Sequence, residues 1–239
     1  EAQNFNESAY YNFSDRGSGL GGWVRIGNRA NEGYAEMTTC LYLPDGRVAF
    51  WFARPPISSN DAHDAGGLRF EVVRPFEEHR VAYEGRVLLL DDPAAMADPT
   101  RAFAESPRVP CRVEQVHRGL AEPWGGEPEP EDGEAPVAVD PEKGFARGHF
   151  EQHMAVTGTV TIGDETFELT DGLGLRDHSW GPRYWQAIWW YRWLTVNLGP
   201  DVGFATTVSG DETGGRRAHG FLYDRRVGPG WVPIRDVDL

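Results

Sequence analysis

Apolar and polar positions alternate with a period of two along most of the chain, in short runs closed by turn residues, and helix-length amphipathic stretches are nearly absent. Residues 23–27 lead into Asn31-Glu32-Gly33, whose glycine can take positive φ, and 34–43 then reads as a strand. Pro44-Asp45-Gly46 turns the chain into 47–53, where Val48, Phe50 and Phe52 alternate against Ala49 and Trp51. Two successive hairpins predict a meander. Further strands are predicted at 68–74, 81–90, 148–162, 166–169, 184–198, 203–208 and 217–223. Asp98-Pro99 marks one short helix running to Phe103, with Asp at the N-cap and Pro at the first helical position. The predicted class is all-β.

Residues 122–143 are rich in Pro, Gly, Glu and Asp and read as an acidic linker or exposed loop. They divide the chain into an N-terminal unit, 1–121, and a C-terminal unit, 144–239. The second unit reaches Leu239 after only a few strands, which is short for an independent closed barrel, so the expectation is either that the two halves share one barrel or that C-terminal strands are missing.

With 40% hydrophobic and 12% aromatic residues, the chain of 239 residues has enough apolar surface for a packed core. A net charge of −14 leaves no basic stripe to neutralise phosphates, so nucleic acid is excluded as the expected partner and an anionic membrane surface is disfavoured. The only lysine is Lys143, beside the acidic stretch, so Schiff-base chemistry has almost nowhere to reside. Cys40 and Cys111 allow at most one bridge and fit no metal spacing. No apolar run has the length of a membrane helix and no signal pattern is visible, so a soluble, cytoplasmic protein is expected; the start at Glu1 without Met also fits a removed leader. The oligomeric state is open, a homodimer being one option.

Chemistry-bearing residues concentrate in the second half. Trp180, Trp185, Trp189, Trp190 and Trp193 fall close together, with Tyr184 and Tyr191 among them. In a strand Trp189, Tyr191 and Trp193 share one face, which suits a cavity wall, although rings so placed also fill sheet cores. Just upstream, Arg176-Asp177-His178-Ser179-Trp180-Gly181-Pro182-Arg183 packs cations, a carboxylate and an imidazole together. Strand geometry sends Asp177 and Ser179 one way and His178 and Trp180 the other. His149, Glu151 and His153 alternate onto one face; a hydrogen-bonded polar face is the expectation there, with a metal site, joined by His178, as the weaker alternative. Gly17, Gly19 and Gly22 satisfy the spacing G-x-G-x-x-G but precede a strand, so they mark a turn and not a dinucleotide site. No organic cofactor and no metal is expected.

The run Gly174 to Arg183 resembles the signature of the carotenoid 1,2-hydratase (hydroxyneurosporene synthase) superfamily, whose relatives include tocopherol-cyclase-like and lipocalin-like bacterial proteins. The stretches Gly22-Trp23-Val24-Arg25-Ile26-Gly27, Asn31-Glu32-Gly33-Tyr34-Ala35-Glu36 and Gly148-His149-Phe150-Glu151-Gln152-His153 resemble an uncharacterised bacterial branch of it. The resemblance implies two tandem lipocalin-like (calycin-type) antiparallel β-barrels around a hydrophobic ligand channel, the second incomplete in this chain. It implies His178 and Trp180 in the site, but the family's Tyr-x-Asp pair has no clear counterpart near Phe204 to Val208.

Protonating an alkene needs a carboxyl kept neutral by burial, with aromatic faces to stabilise the cation. Asp177 is the first candidate acid and Glu151 the second. The expected catalytic set is therefore Asp177, His178, Trp180 and Glu151. The expected ligand contacts are His149, His153, Arg183, Tyr184, Trp185, Trp189, Tyr191 and Trp193. The leading expectation is a cofactor-independent hydratase, isomerase or cyclase acting on a hydrophobic isoprenoid or polycyclic molecule. Its rivals are a non-catalytic carrier of a hydrophobic ligand, and a module in which the tryptophans only fill a core.

Overall fold

The computed structural model describes residues 2–127, 140, 143–228 and 230–238. Its strands are β1 (Phe5–Ser14), β2 (Gly21–Arg29), β3 (Tyr34–Tyr42), β4 (Val48–Ala53), β5 (His63–Ala65), β6 (Leu68–Arg74), β7 (Glu78–Leu90), β8 (Arg108–Gly119), β9 (Trp124–Gly126), β10 (Gly148–Ile162), β11 (Glu165–Pro182), β12 (Trp190–Asn197), β13 (Val202–Gly210), β14 (Arg216–Asp224) and β15 (Trp231–Ile234). The one α-helix among the described residues, α1 (Pro99–Glu105), is capped by Asp98, whose side chain accepts from the Arg101 amide at 3.1 Å. Among the described residues no helix is long and apolar enough to cross a membrane.

The chain is all-β, with one large antiparallel sheet and a second sheet of four strands. In the large sheet the pairing runs β4-β3-β2-β1-β11-β10-β8-β7-β6-β5, and β4 also pairs with β7 through Val48 to Phe50, so the path returns on itself around eight strands. The ring is filled from its inner face. Tyr11 on β1 meets the rings of Phe70, His79 and His117 at centroid distances of 4.8, 5.9 and 5.1 Å, all on strands that are not its sheet neighbours. Val24, Ile26, Val81, Tyr83, Val113 and Val156 belong to the same buried cluster. Burying each such side chain contributes about 1.5–3 kcal/mol relative to exposure. Cys40 and Cys111 are free and buried.

Sheet membership does not follow the expected division at 122–143. β10 and β11 come after that stretch, yet they lie between β8 and β1 in the large sheet. The strands β12 to β15 cover the outer face of β10 and β11 around His153 and Leu175. Within the expected linker, Trp124 to Gly126 form β9 and pair with His149 to Glu151; residues 128–139, 141 and 142 lie outside the described residues.

The expected strand at 184–198 is also corrected. Trp185–Ala187 is a 3-10 turn, and the strand begins only at Trp190.

The four-stranded sheet, in the order β12-β13-β14-β15, rests on the outer face of β1, β11 and β10. A small apolar cluster of Leu175, Ala205 and Phe221 joins the two sheets, with Trp124 and Trp193 packed against it. Polar contacts reinforce it: Asn12 donates to the Thr195 hydroxyl at 3.2 Å, and His153 Nδ1 lies 2.9 Å from Asn197 Oδ1.

Candidate functional site

β11 is the longest strand, and its alternation decides the site. Register places Tyr11 opposite Arg176, Tyr10 opposite Asp177 and Ala9 opposite His178. On the other side Glu151 faces Asp177 and Phe150 faces His178. Arg176, His178 and Trp180 therefore share the face turned into the ring, while Leu175, Asp177 and Ser179 share the face turned toward the second sheet. Gly174 permits this close pairing, because a Cβ there would stand 1.9 Å from the Asn12 carbonyl oxygen.

On the outer face, His149 Nε2 lies 2.7 Å from Asp177 Oδ2 and 3.3 Å from Glu151 Oε1. Burial opposes a charge on this imidazole, but the hydrogen bonds it donates to Asp177 and then Glu151 outweigh it and push its pKa up to about 10. His149 is thus an imidazolium at neutral pH, clasped by two carboxylates. The three ligand atoms also lie within 4.8 Å of one another, a spacing suited to a metal ion, and a proton occupies the equivalent position in an imidazolium.

Aromatic rings surround this cluster. Tyr10 lies beside Asp177 in register and packs on Trp193 at 5.2 Å; Trp124, opposite Glu151, stacks on Phe221 at 5.1 Å and on His219 at 6.0 Å. Burial pushes the Tyr10 phenol above its ordinary range. Past Tyr10 opens a cleft of about 940 Å³ between the sheets, lined by Asn12, Trp23, Tyr42, Thr195 and Asn197.

Beyond Ser179 the same face becomes cationic. Arg183 donates to the Ser179 hydroxyl at 2.8 Å, and its guanidinium lies 4.1 Å from the Phe145 ring centroid and 5.1 Å from that of Trp185. Arg25 reaches the same indole at 5.5 Å and pairs with Glu36 at 3.5 Å. Burial, reinforced by repulsion from Arg25, lowers the Arg183 pKa to about 10.

The inner face holds a second constellation at the rim of the ring. His178 Nε2 lies 2.8 Å from Glu7 Oε1; Phe150 stacks on the imidazole at 5.3 Å, Trp180 lies at 5.4 Å and His63 at 5.8 Å. Deeper in, the Tyr11 hydroxyl meets His79 Nδ1 at 2.8 Å and Arg176 donates to Gln152 at 2.9 Å. Burial lowers the pKa of His63 and His79 to about 4 and that of His117 to about 3, so these rings are neutral.

The residues expected from sequence therefore divide. His149, Glu151 and Asp177 converge; Arg183 joins them through Ser179. His178 and Trp180 meet each other on the opposite face. His153 leaves its strand mates for Asn197 and the Tyr223 ring at 4.8 Å, and burial lowers its pKa to about 4. Of the expected tryptophan wall, Trp193 alone packs between the sheets, whereas Trp189 is 64% exposed and Tyr184, Trp185, Trp190 and Tyr191 are also exposed. The 3-10 turn breaks the strand period, which carries these rings off a common face. Glu7, Tyr10, Arg25, Trp124 and His219 were not among the expected site residues. Only Arg25 carried a signal, inside the stretch Gly22 to Gly27.

No curated protein matches the chain in sequence. Among solved structures, a protein described as AttH (NE1406) from Nitrosomonas europaea superposes with a TM-score of 0.59 at 12% identity, covering 98% of this chain and 70% of that one. Kievitone hydratase from Nectria haematococca superposes with a TM-score of 0.59 at 8% identity, covering 96% of this chain and 64% of its own. These likenesses concern the fold. The family model for a domain of unknown function, DUF7064, matches residues 1–239, and the chain belongs to that family.

Proposed function

We propose that the protein is a hydratase-, isomerase- or cyclase-like enzyme that acts without an organic cofactor on a hydrophobic small molecule held between its two sheets. In this reading the eight-stranded ring is the first of two lipocalin-like barrels, and the second sheet belongs to the other. The observation that carries it is the His149 imidazolium clasped by Asp177 and Glu151. Donor and acceptor stand side by side there, among Tyr10, Trp124 and Trp193, where water is partly excluded.

Adding water to a double bond, or moving one, requires a proton to be delivered to one atom and removed from another. His149 delivers it, and Asp177 or Glu151 receives it. This moves the acid from the carboxyl groups named by sequence reasoning to the imidazole between them. An acid whose pKa is about 10 does not protonate an isolated hydrocarbon alkene readily, so a double bond polarised by a neighbouring oxygen function fits it better. Indole faces can stabilise positive charge in the intermediate by about 0.5–2 kcal/mol each.

The test is turnover on a panel of conjugated and unconjugated olefins, with His149→Gln and Asp177→Asn assayed beside the unaltered chain. Loss of turnover with retained binding supports the enzyme. Return of every bound compound chemically unchanged by the unaltered protein favours a carrier.

A further inference from the structure

The outer face of β1 and β2 carries buried hydrogen-bond donors that find no acceptor among the described residues. Arg25 Nη2, Arg29 Nη1, Arg183 Nε and Asn6 Nδ2 are all buried without an acceptor. They belong to one neighbourhood. Gly27 has no side chain, and a Cβ there would meet Arg25 Nη2 at 2.5 Å and Asn6 Oδ1 at 2.8 Å, so the guanidinium and the amide lie together over its bare backbone. Arg25 and Arg29 both perturb Arg183 electrostatically, and Trp185 covers the guanidinium groups of Arg25 and Arg183.

Ordered water can satisfy such donors. Water does not supply a direct counter-charge, and Arg183 needs one most. Arg25 has Glu36 and Arg29 has Glu32, but among the described residues no carboxylate comes within ion-pair distance of Arg183, which is 6% exposed. The carboxylates that act on it from further away, Asp177 and Glu36, are already bonded to His149 and to Arg25 and Arg54. A buried cation in this position is costly unless an anion completes it.

We propose that Arg25 and Arg183 form a carboxylate-binding subsite, so that the molecule taken beside His149 and Asp177 is a hydrophobic acid and not a neutral hydrocarbon. The subsite rests on reading the surroundings of His149 and Asp177 as the substrate site. A carboxylate and a phosphate both fit a guanidinium fork, so charge decides between them. Arg25, Arg29, Arg54, Arg183 and His149 stand against Glu32, Glu36, Asp177 and Glu151, an excess of one positive charge that a monoanion cancels and a phosphate dianion overshoots. The Ser179 hydroxyl, held by Arg183 and opposite His149 in register, links the subsite to the acid–base cluster.

The experiment compares matched acids and esters by calorimetry or tryptophan fluorescence at neutral pH: geranate with methyl geranate, 2-naphthoate with methyl 2-naphthoate, and octanoate with methyl octanoate. At least one acid is expected to bind about tenfold or more tightly than its ester, and Arg183→Gln is expected to reduce that preference to about twofold or less without weakening the ester. Arg25→Gln is measured in parallel and decides the matter if Arg183→Gln does not fold. Equal or weaker binding of the acid in every pair overturns the subsite, as does a preference that survives the substitution. The two readings separate cleanly. Acid preference without turnover of any panel member leaves the subsite and removes the enzyme; turnover of neutral olefins without acid preference does the reverse.

Discussion

His149 Nε2 lies 2.7 Å from Asp177 Oδ2, across the pairing of β10 with β11, whereas His178, next to Asp177 in the chain, opens onto the other side of the sheet toward Glu7. One strand thus carries two imidazole–carboxylate couples, one toward the second sheet and one toward the interior of the ring.

These couples are expected to separate on mutation. His149→Gln should reduce kcat by about a hundredfold to ten-thousandfold, the range for loss of a positioned acid or base. His178→Gln should leave kcat within about tenfold and lower stability instead, since it removes the partner of Glu7. Steady-state kinetics on any substrate found in the olefin panel, with a thermal melt of each variant, checks this; an equal loss of kcat in both would assign the chemistry to the wrong face.

Stability should fall on both sides of neutrality. His149 has a folded pKa of about 10, above its ordinary value near 6.5, so its stabilising contribution is full below 6.5 and is lost as pH rises through about 10. His63, His79, His117 and His153 have depressed folded values of about 3 to 4, so the unfolded chain binds more protons and stability drops as pH falls from about 6.5 toward 4. For fully buried His117 alone the cost at pH 4 is about 3 kcal/mol. Urea denaturation from pH 4 to 10 should show a plateau near neutrality, with the alkaline slope reduced in His149→Gln.

Leu175 and Phe221 are fully buried between the two sheets. Leu175→Ala should cost about 2–5 kcal/mol and Phe221→Ala about 3–5 kcal/mol. Both should loosen the second sheet first, seen as loss of near-ultraviolet dichroism from Trp124 and Trp193 before the far-ultraviolet strand signal declines. Simultaneous loss of the two signals would make the sheets a single cooperative unit.

Gly174→Ala should be among the most damaging single-methyl changes. The added carbon would sit 1.9 Å from the Asn12 carbonyl oxygen, in a backbone held on both sides by β1 and β10. A loss of more than about 4 kcal/mol, or failure to fold, is expected from chemical denaturation; a cost under about 1 kcal/mol would show that β1 is free to shift.

Much of the architecture was legible because turn chemistry and alternation are local. Gly33 and Gly46 take φ of 84° and 93°, as the turns around them require, and the strands after each begin close to where the pattern places them. β1 and β8 escaped that reading. β1 buries Asn6 and Ser8 along with Ala9 and Tyr11, so polarity does not mark its exposed face. β8 contains Pro110, which argues against a central strand; it is tolerated because β10 pairs only from Cys111 onward.

The site was legible in part for the same reason. Alternation correctly sends Asp177 and His178 to opposite faces and puts His149 with Glu151, since side-chain direction along a strand depends only on position. It gave no means of knowing that Glu7 would meet His178, or that Arg25 would approach Arg183, because those meetings cross between strands far apart in the chain.

By itself, then, the amino-acid order determined the all-β class, the hairpin turns and the face each residue of a strand presents. Tertiary structure alone decided that β1 joins β2 to β11, that β10 and β11 complete the first sheet, and that an imidazolium lies between two carboxylates under a second sheet. The physical reason is that a period of two encodes which way a side chain points but not which strand lies beside it. Partner choice is settled only when long loops close and the whole set of apolar faces is buried at once.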